Sequence, residues 1–328
     1  MKHISILVPK GQYSIVNIAG SFQILNWAND IYLQQTRQPL FKIEFVGYSK
    51  PSADAEGFYT VSPPRTVAEV KQTDLIILPA VHGNQEEAIA NNGEIIGWIK
   101  QQHSQGAGVA AFCIGVFLLA ETGILNGEYC STHWAEAEKL QKAYPEIIVQ
   151  SEKIVTESNG IYTSGGAYAF TNLLLYIIEK YGGRELAILT AKAFMLDIDK
   201  TSQTAFMIFN GQKDHDDQLI KQVQEYLENH FAEKLGAMEI AEKFAVTRRT
   251  LERRFKQITG NTLLEYQQRL RIEAAKRKLE EEQANVSSAM YDVGYTDPKA
   301  FREIFKKYAG LSPADYRKKY TKQPLAAW

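Results

Sequence analysis

Cysteine is nearly missing from this sequence: Cys113 and Cys130 are the only two among 328 residues. Two thiols cannot build a disulfide framework, so a small cross-linked scaffold is excluded and a reducing compartment is expected. Long apolar runs are missing too. The longest uncharged one, residues 107–120, has 14 residues, short of the roughly 20 that a membrane span needs. The first residues hold a brief apolar stretch ended by Pro9, without the longer apolar region and cleavage site of a signal peptide. A soluble cytoplasmic protein with no membrane partner is expected. Net charge is close to zero at −1, yet 45% of the residues are hydrophobic. Disorder is thereby excluded, and the length suits two domains, or three at most.

The small net charge conceals an asymmetry. Residues 1–211 carry 15 Lys+Arg against 20 Asp+Glu, whereas residues 212–328 carry 22 against 18. From Lys234 onward the count is 20 against 12. A basic C-terminal third on an acidic protein suits a polyanionic partner, although a solvated helical surface gives the same count.

The first 200 residues alternate short β-rich runs with helical spacing. Strands are expected at 4–8, 41–46, 75–78 and 109–112, and helices at 15–32, 86–102 and 116–121. The unbroken apolar runs 75–78 and 109–112 suit strands covered on both faces, as in the parallel sheet of a doubly wound α/β domain. Such sheets bind ligands beyond the carboxyl ends of their strands. One strand end leads into Pro79-Ala80-Val81-His82-Gly83-Asn84. The other leads into Cys113-Ile114-Gly115 and directly into a helix. A nucleophile at such a tight turn is lifted above the sheet, and the following helix start favours a thiolate or a bound anion. His133, in Ser131-Thr132-His133-Trp134, supplies the partner that thiol chemistry uses. A cysteine at an apolar strand end is also ordinary packing, the reading given to Cys130.

The runs Ala110-Ala111-Phe112-Cys113-Ile114-Gly115, Leu118-Leu119-Ala120-Glu121-Thr122-Gly123 and Thr132-His133-Trp134, with Thr163-Ser164-Gly165-Gly166, resemble the ThiJ/PfpI group of the class I glutamine-amidotransferase-like superfamily. The resemblance covers residues 3–183. It implies a catalytic cysteine, histidine and acid, but Asn17 stands where the acid is expected, and an amide cannot take a proton. Ala80 and Val81 replace the usual glycine pair, which weakens the expected oxyanion site, with Gly83 as a partial substitute. The domain is therefore expected to sense a small molecule rather than transform it. Cys113 and His133 are read as remnants of a catalytic pair, and Asn17, His82, Gly83, Cys113, Ile114 and His133 as the ligand-binding set. The alternative is a cysteine hydrolase or amidase with an attached DNA-binding domain. No cofactor and no metal are expected.

After residue 238 the sequence repeats itself. Thr247, Leu251, Phe255, Lys256, Gly260 and Tyr266 have counterparts fifty residues later in Asp297, Phe301, Phe305, Lys306, Gly310 and Tyr316. Thr and Asp are good helix N-caps, the apolar residues mark one buried face, Pro298 suits a first helical position, and the glycines stop each helix. Shorter helices precede the caps at 238–244 and 286–293, and a long helix, 263–282, lies between the copies with Leu263, Tyr266, Leu270, Ala274 and Ala275 inward. Helix, turn and capped helix is the helix-turn-helix pattern, although an ordinary bundle contains single examples of it.

The outer face of the first capped helix carries Arg248, Arg249, Glu252, Arg253 and Lys256, with Arg254 beside them; the second carries Lys299, Arg302, Glu303, Lys306 and Lys307. Residues 220–319 resemble the AraC/XylS family of transcription regulators. The likeness lies in Ile240-Ala241, Gly294-Tyr295-Thr296-Asp297, the run 301–307, and Gly310-Leu311-Ser312-Pro313-Ala314-Asp315-Tyr316-Arg317. It implies two recognition helices in successive major grooves of double-stranded DNA. Arg249, Glu252 and Arg253 are then the base readers of the first copy, while Pro298 and Lys299 lead the second, with Arg302 or Glu303 helping. Thr247, Arg248, Lys256 and Lys306 complete the DNA-facing set. Met290 stands where that family prefers a small residue. A homodimer, an unidentified small-molecule effector and RNA polymerase are the further partners such a regulator implies. The expected organisation is a sensing domain over 1–200, a linker over 201–217, a DNA-binding domain over 218–320 and a tail over 321–328. His215 beside aspartates in the linker lacks further ligands at metal spacing, so a solvated linker is expected there.

Overall fold

A computed structural model of the chain describes residues 1–48, 60–281 and 285–321, together with the backbone of 52–53. The chain divides into two compact units, Met1–Gln203 and Thr204–Trp328.

The first unit is built on a seven-stranded sheet. Its strands are β1 (Lys2–Leu7), β3 (Phe41–Gly47), β6 (Arg65–Thr66), β7 (Leu75–Leu78), β9 (Gly108–Phe112), β12 (Val155–Ser158) and β13 (Ile161–Ser164). They lie in the order β12-β13-β9-β7-β1-β3-β6, parallel throughout except for the antiparallel pair β12–β13. Small ribbons join β2 (Gln12–Tyr13) to β8 (Val81–His82), β4 (Ser52–Ala53) to β5 (Thr60–Val61), and β10 (Tyr129–Cys130) to β11 (Ile148–Val149). The apolar runs of β7 and β9 are fully buried from Leu75 to Leu78 and from Val109 to Phe112, as a sheet with helices on both faces requires.

Among the described residues seven α-helices belong to this unit: α1 (Ile15–Thr36), α2 (Gln85–Asn91), α3 (Gly93–Ser104), α4 (Val116–Ala120), α5 (Ala137–Ala143), α6 (Phe170–Gly182) and α7 (Arg184–Ala193). From β1 the chain crosses through α1 to β3 on one side, and from β7 through α2 and α3 to β9 on the other. Right-handed crossovers in opposite directions put their helices on opposite faces and leave a switch point between β1 and β7.

The continuous helix expected over 86–102 is broken at Asn92. That side chain is fully buried, accepts the Lys10 N–H (2.9 Å) and donates to the carbonyls of Lys10 (3.0 Å) and Ala88 (2.8 Å). An amide recruited to tie down a distant loop interrupts the helix that periodicity alone would continue.

The second unit holds α8 (Gln218–Asn229), α9 (Ala237–Lys243), α10 (Arg248–Thr259), α11 (Leu263–Leu279), α12 (Val286–Asp292), α13 (Pro298–Ala309) and α14 (Pro313–Tyr320). Two cores form. Ile220, Leu227, Ile240, Leu251, Phe255 and Tyr266 make the first, and Ile272, Leu279, Met290, Phe301, Phe305 and Tyr316 the second. Helix α11 contributes to both, and Met290 is accommodated in the second. Within α11 Leu263, Tyr266 and Ala275 are buried, while Leu270 and Ala274 are half-buried. The helix ends at Leu279, and Glu282, its expected last residue, lies outside the described residues, as do 322–328 of the tail.

The segment expected to be a solvated linker is folded at its end. His215 Nε2 lies 3.0 Å from Gln224 Oε1, Gln224 Nε2 donates to the Gln212 carbonyl (2.8 Å), and Asp217 caps α8 by accepting the Ile220 N–H (3.1 Å).

The turns of the two helix-turn-helix motifs are alike. Ala245 (φ 54°) and Val246 donate to the carbonyls of Glu242 and Ala241, while Gly294 (φ 81°) and Tyr295 donate to those of Tyr291 and Met290. Ala245 thus occupies in the first motif the left-handed position that Gly294 occupies in the second. An alanine there is strained by about 1 kcal/mol. Ala245→Gly is therefore expected to raise the melting temperature by a few degrees without changing the fold, as followed by circular dichroism.

Candidate functional sites

The first site lies at the carboxyl ends of β1, β7 and β9. The segments that follow β1 and β7 are zipped together there, with Gln12 opposite His82 and Tyr13 opposite Val81. The Ser14 N–H donates to the Ala80 carbonyl (2.9 Å). Asn17, 2% exposed, accepts the Ala80 N–H on Oδ1 at 3.1 Å. The residue standing in the place of the acid thus holds a main-chain amide at the mouth of β7. That amide is already committed, so it does not aim at an external oxyanion.

Cys113 follows β9 in a left-handed conformation (φ 54°) and is 4% exposed. Its turn packs against the end of β7 so closely that a Cβ on Gly115 would stand 2.5 Å from the Pro79 carbonyl oxygen. The hydrogen bonds that reach the thiol come from the main-chain N–H groups of Ile114 and His133, and Thr132 Oγ1 donates to the Cys113 carbonyl (2.9 Å). It is thus the backbone of His133 that serves the sulfur.

The expectation of a thiolate favoured by a helix start is corrected here. Burial pushes the Cys113 thiol up to about 11, the charge of Glu136 adds to that, and the two N–H groups only moderate it. Helix α4 is five residues long, and its small dipole does not offset the loss of hydration. Burial also lowers the pKa of His133, with Glu136 acting against it, so at neutral pH both side chains are uncharged. Alkylation of native Cys113 by iodoacetamide is therefore expected to stay slow at pH 7–8 and to climb as pH approaches about 11. Mass-spectrometric labelling across pH checks this. A rate already maximal at pH 8 would contradict it.

Of the remaining residues of the expected set, Ile114 and His133 are half-buried, whereas His82 and Gly83 (φ 85°) are exposed. The strand carrying His82 packs beside the Cys113 turn. Sequence reasoning passed over Glu136, whose charge acts on both Cys113 and His133. It also gave Gln203 no place in this site. Gln203, 2% exposed, donates to the carbonyls of Thr132 (2.9 Å) and Ser151 (2.6 Å) and accepts the Gly166 N–H (3.1 Å). A Cβ on Gly165 would meet its amide at 2.8 Å, which accounts for glycine there.

The second site is the pair α10 and α13. Thr247 caps α10 by accepting the Thr250 N–H (3.2 Å), and Asp297 caps α13 by accepting the Lys299 N–H (2.8 Å). Gly260 and Gly310, both at φ 69°, end them by donating to Lys256 and Lys306 carbonyls at 2.9 Å. Leu251, Phe255 and Thr259 are buried in one helix, as Phe301, Phe305 and Ala309 are in the other.

Each outer face carries four cations and one acid: Arg248, Arg249, Arg253 and Lys256 with Glu252, and Lys299, Arg302, Lys306 and Lys307 with Glu303. All are exposed except Glu252, which is intermediate and ion-pairs with Arg248 at 2.9 Å. Arg254 is not part of the face, because it is held by the Asp217 carboxylate at 2.5 Å. Although burial pushes Asp217 up, the guanidinium and the Ile220 N–H hold its pKa below the ordinary value.

Comparison with known proteins finds a match for each unit. Residues 35–180 match the model of the DJ-1/PfpI family, and residues 240–319 match that of a helix-turn-helix domain. The HTH-type transcriptional regulator GbdR of Pseudomonas aeruginosa is 22% identical over 306 residues, covering 93% of this chain and 81% of that one. CdhR, an HTH-type transcriptional regulator of the same species, is 25% identical over 266 residues, covering 79% and 76%. Among solved structures, a ThiJ/PfpI family protein from Pseudomonas syringae matches with a TM-score of 0.51 at 15% identity, over 74% of this chain and 90% of that one. The fold and the paired helices define a two-domain protein, a DJ-1/PfpI unit followed by a double helix-turn-helix unit. Along most of its length the chain is similar to HTH-type transcriptional regulators, with a DJ-1/PfpI match in its first unit and a helix-turn-helix match in its second.

Proposed function

We propose that the protein is a sequence-specific DNA-binding transcription regulator controlled by a small molecule that binds at the carboxyl ends of β1, β7 and β9. One observation carries the reading: two N-capped helices fifty residues apart, each with a buried apolar face and an outer face of four cations and one acid. Arginine and lysine arrayed along an exposed helix suit phosphate contact and the guanine edge in a major groove. Arg249, Glu252 and Arg253 are assigned to the bases in the first motif, and Lys299, Arg302 and Glu303 in the second. Thr247, Arg248, Lys256 and Lys306 are assigned to the backbone. The Arg248–Glu252 pair must open for Glu252 to reach a base.

The effector site is assigned to Asn17, His82, Gly83, Cys113, Ile114 and His133, with residues 1–200 as the sensing domain and 218–320 as the DNA-binding domain. An effector acts by binding the two DNA-competence states with different affinity. Homodimerisation and engagement of RNA polymerase, in the cytoplasm, complete the reading.

The test uses the full chain. Its melting temperature and its affinity for a selected DNA site are measured across a panel of common metabolites. One compound is expected to change both, because a ligand that prefers one state stabilises it in proportion to its occupancy. Substitution of Cys113 or His133 should weaken that response. Turnover of amides or small aldehydes that disappears in Cys113→Ala would instead make the first unit an enzyme.

A further inference from the structure

We infer that Arg271 is the positioning residue that fixes the separation of the two recognition helices, and with it the spacing of DNA half-boxes that the protein accepts. This rests on the DNA-binding reading. Arg271 stands midway along α11, whose start belongs to the first core and whose end belongs to the second. Its Nε donates to the Phe231 carbonyl (2.6 Å) and its Nη2 to the Glu233 carbonyl (2.7 Å), both in the loop between α8 and α9 of the first half. From Nη1 it reaches the Gly294 carbonyl (3.4 Å) in the turn of the second motif, and its guanidinium carbon lies 5.3 Å from the centre of the Tyr295 ring.

The two halves also meet directly at this point. Phe231, from the first half, packs on the second core. Gly294 lies so close to the first half's loop that a Cβ would stand 2.0 Å from the Ala232 carbonyl oxygen. One planar fork thus ties carbonyls of both halves where they meet. A lysine has the charge but no rigid fork with which to hold several carbonyls at fixed angles.

A loose joint would let each recognition helix find its own groove. A pinned one makes the position of the second helix follow from the first. Inserting one base pair turns the second half-box by roughly 36° and moves it by about 3.4 Å, a change the pinned pair cannot follow.

The test compares full-length wild type, Arg271→Ala and Arg271→Lys by gel retardation. The DNA is the site that wild type selects from random sequence, and versions with one base pair inserted or removed between the half-boxes. Wild type is expected to lose about 30-fold or more on the altered spacing, within the range of a badly mismatched site. Both variants are expected to bind the selected site less well and to discriminate spacing by less than about 5-fold. Spacing ratios equal to wild type in both variants overturn the inference, even where the variants melt earlier, because lost stability alone weakens every site alike. Spin labels on Gln257→Cys and Lys307→Cys, measured without DNA, give an independent reading. One narrow distance is expected with Arg271 present and a broad distribution in Arg271→Ala, and an unchanged narrow distance contradicts the inference. If wild type selects no site, the DNA-binding reading fails, while the label distances still decide whether Arg271 pins the helices.

Discussion

Arg253→Ala is expected to lower affinity for the preferred DNA site by about 5- to 150-fold, the equivalent of about 1–3 kcal/mol, and to relax base choice at one position. Arg253 is exposed on the outer face of α10 and makes no ion pair among the described residues. Its loss therefore removes a DNA contact without disturbing the core. Arg249→Ala should behave in the same way. Lys306→Ala, near the end of α13, is expected to weaken all sequences to a similar degree and to reduce the salt dependence of log affinity by about one unit. Binding isotherms for the preferred and a scrambled site at several salt concentrations separate the two behaviours. If Arg253→Ala followed the Lys306→Ala pattern, the assignment of base readers would be wrong. Arg254→Ala makes a useful contrast. It frees the half-buried Asp217 carboxylate, so its expected effect falls on stability and not on base preference.

Gly294→Ala is expected to destabilise the second unit by about 3–5 kcal/mol, through left-handed strain and a collision that the surroundings cannot relieve. The glycine has φ 81°, and the atom that a Cβ would meet at 2.0 Å is a main-chain oxygen, that of Ala232. Gly260→Ala isolates the first cause, since Gly260 has φ 69° with nothing within 4 Å of an added Cβ. That variant should cost only about 1 kcal/mol. Urea unfolding of both gives the difference. Equal losses would mean that the Gly294 turn can move away from the α8–α9 loop, and the tight seam between the two halves would not exist as described.

Much of the architecture was legible in the sequence where one local signal decides it. The apolar runs 75–78 and 109–112 became buried parallel strands, and Thr247, Asp297, Gly260 and Gly310 became the caps and stops their chemistry predicts. The strands β12 and β13 were not legible, because their apolar residues Val155, Ile161 and Tyr162 are interrupted by buried polar ones. Thr156 and Thr163 satisfy each other at 2.6 Å, and the Ser131 N–H donates to Thr163 Oγ1, so these polar residues are buried without any apolar signal in the sequence. The break at Asn92 and the engagement of Arg254 with Asp217 likewise depend on partners far along the chain. Arg254 looked like a DNA-facing cation for that reason.

At the sheet-end site, the types and places of Cys113, His133 and Asn17 could be read from the sequence, but not the charge state of the thiol. That state follows from burial, which outweighs the two main-chain N–H groups. Gln203 was missed because its partners Thr132, Ser151 and Gly166 lie 71, 52 and 37 residues away.

Whether α10 and α13 read DNA together is decided by selection from fragmented genomic DNA followed by footprinting. One preferred site is expected, with two protected major-groove segments about one helical turn apart on the same face. Protection of the first is lost in Arg249→Ala/Arg253→Ala, and protection of the second in Lys299→Ala/Arg302→Ala. Recovery of no preferred site, or full protection in both variants, would contradict it.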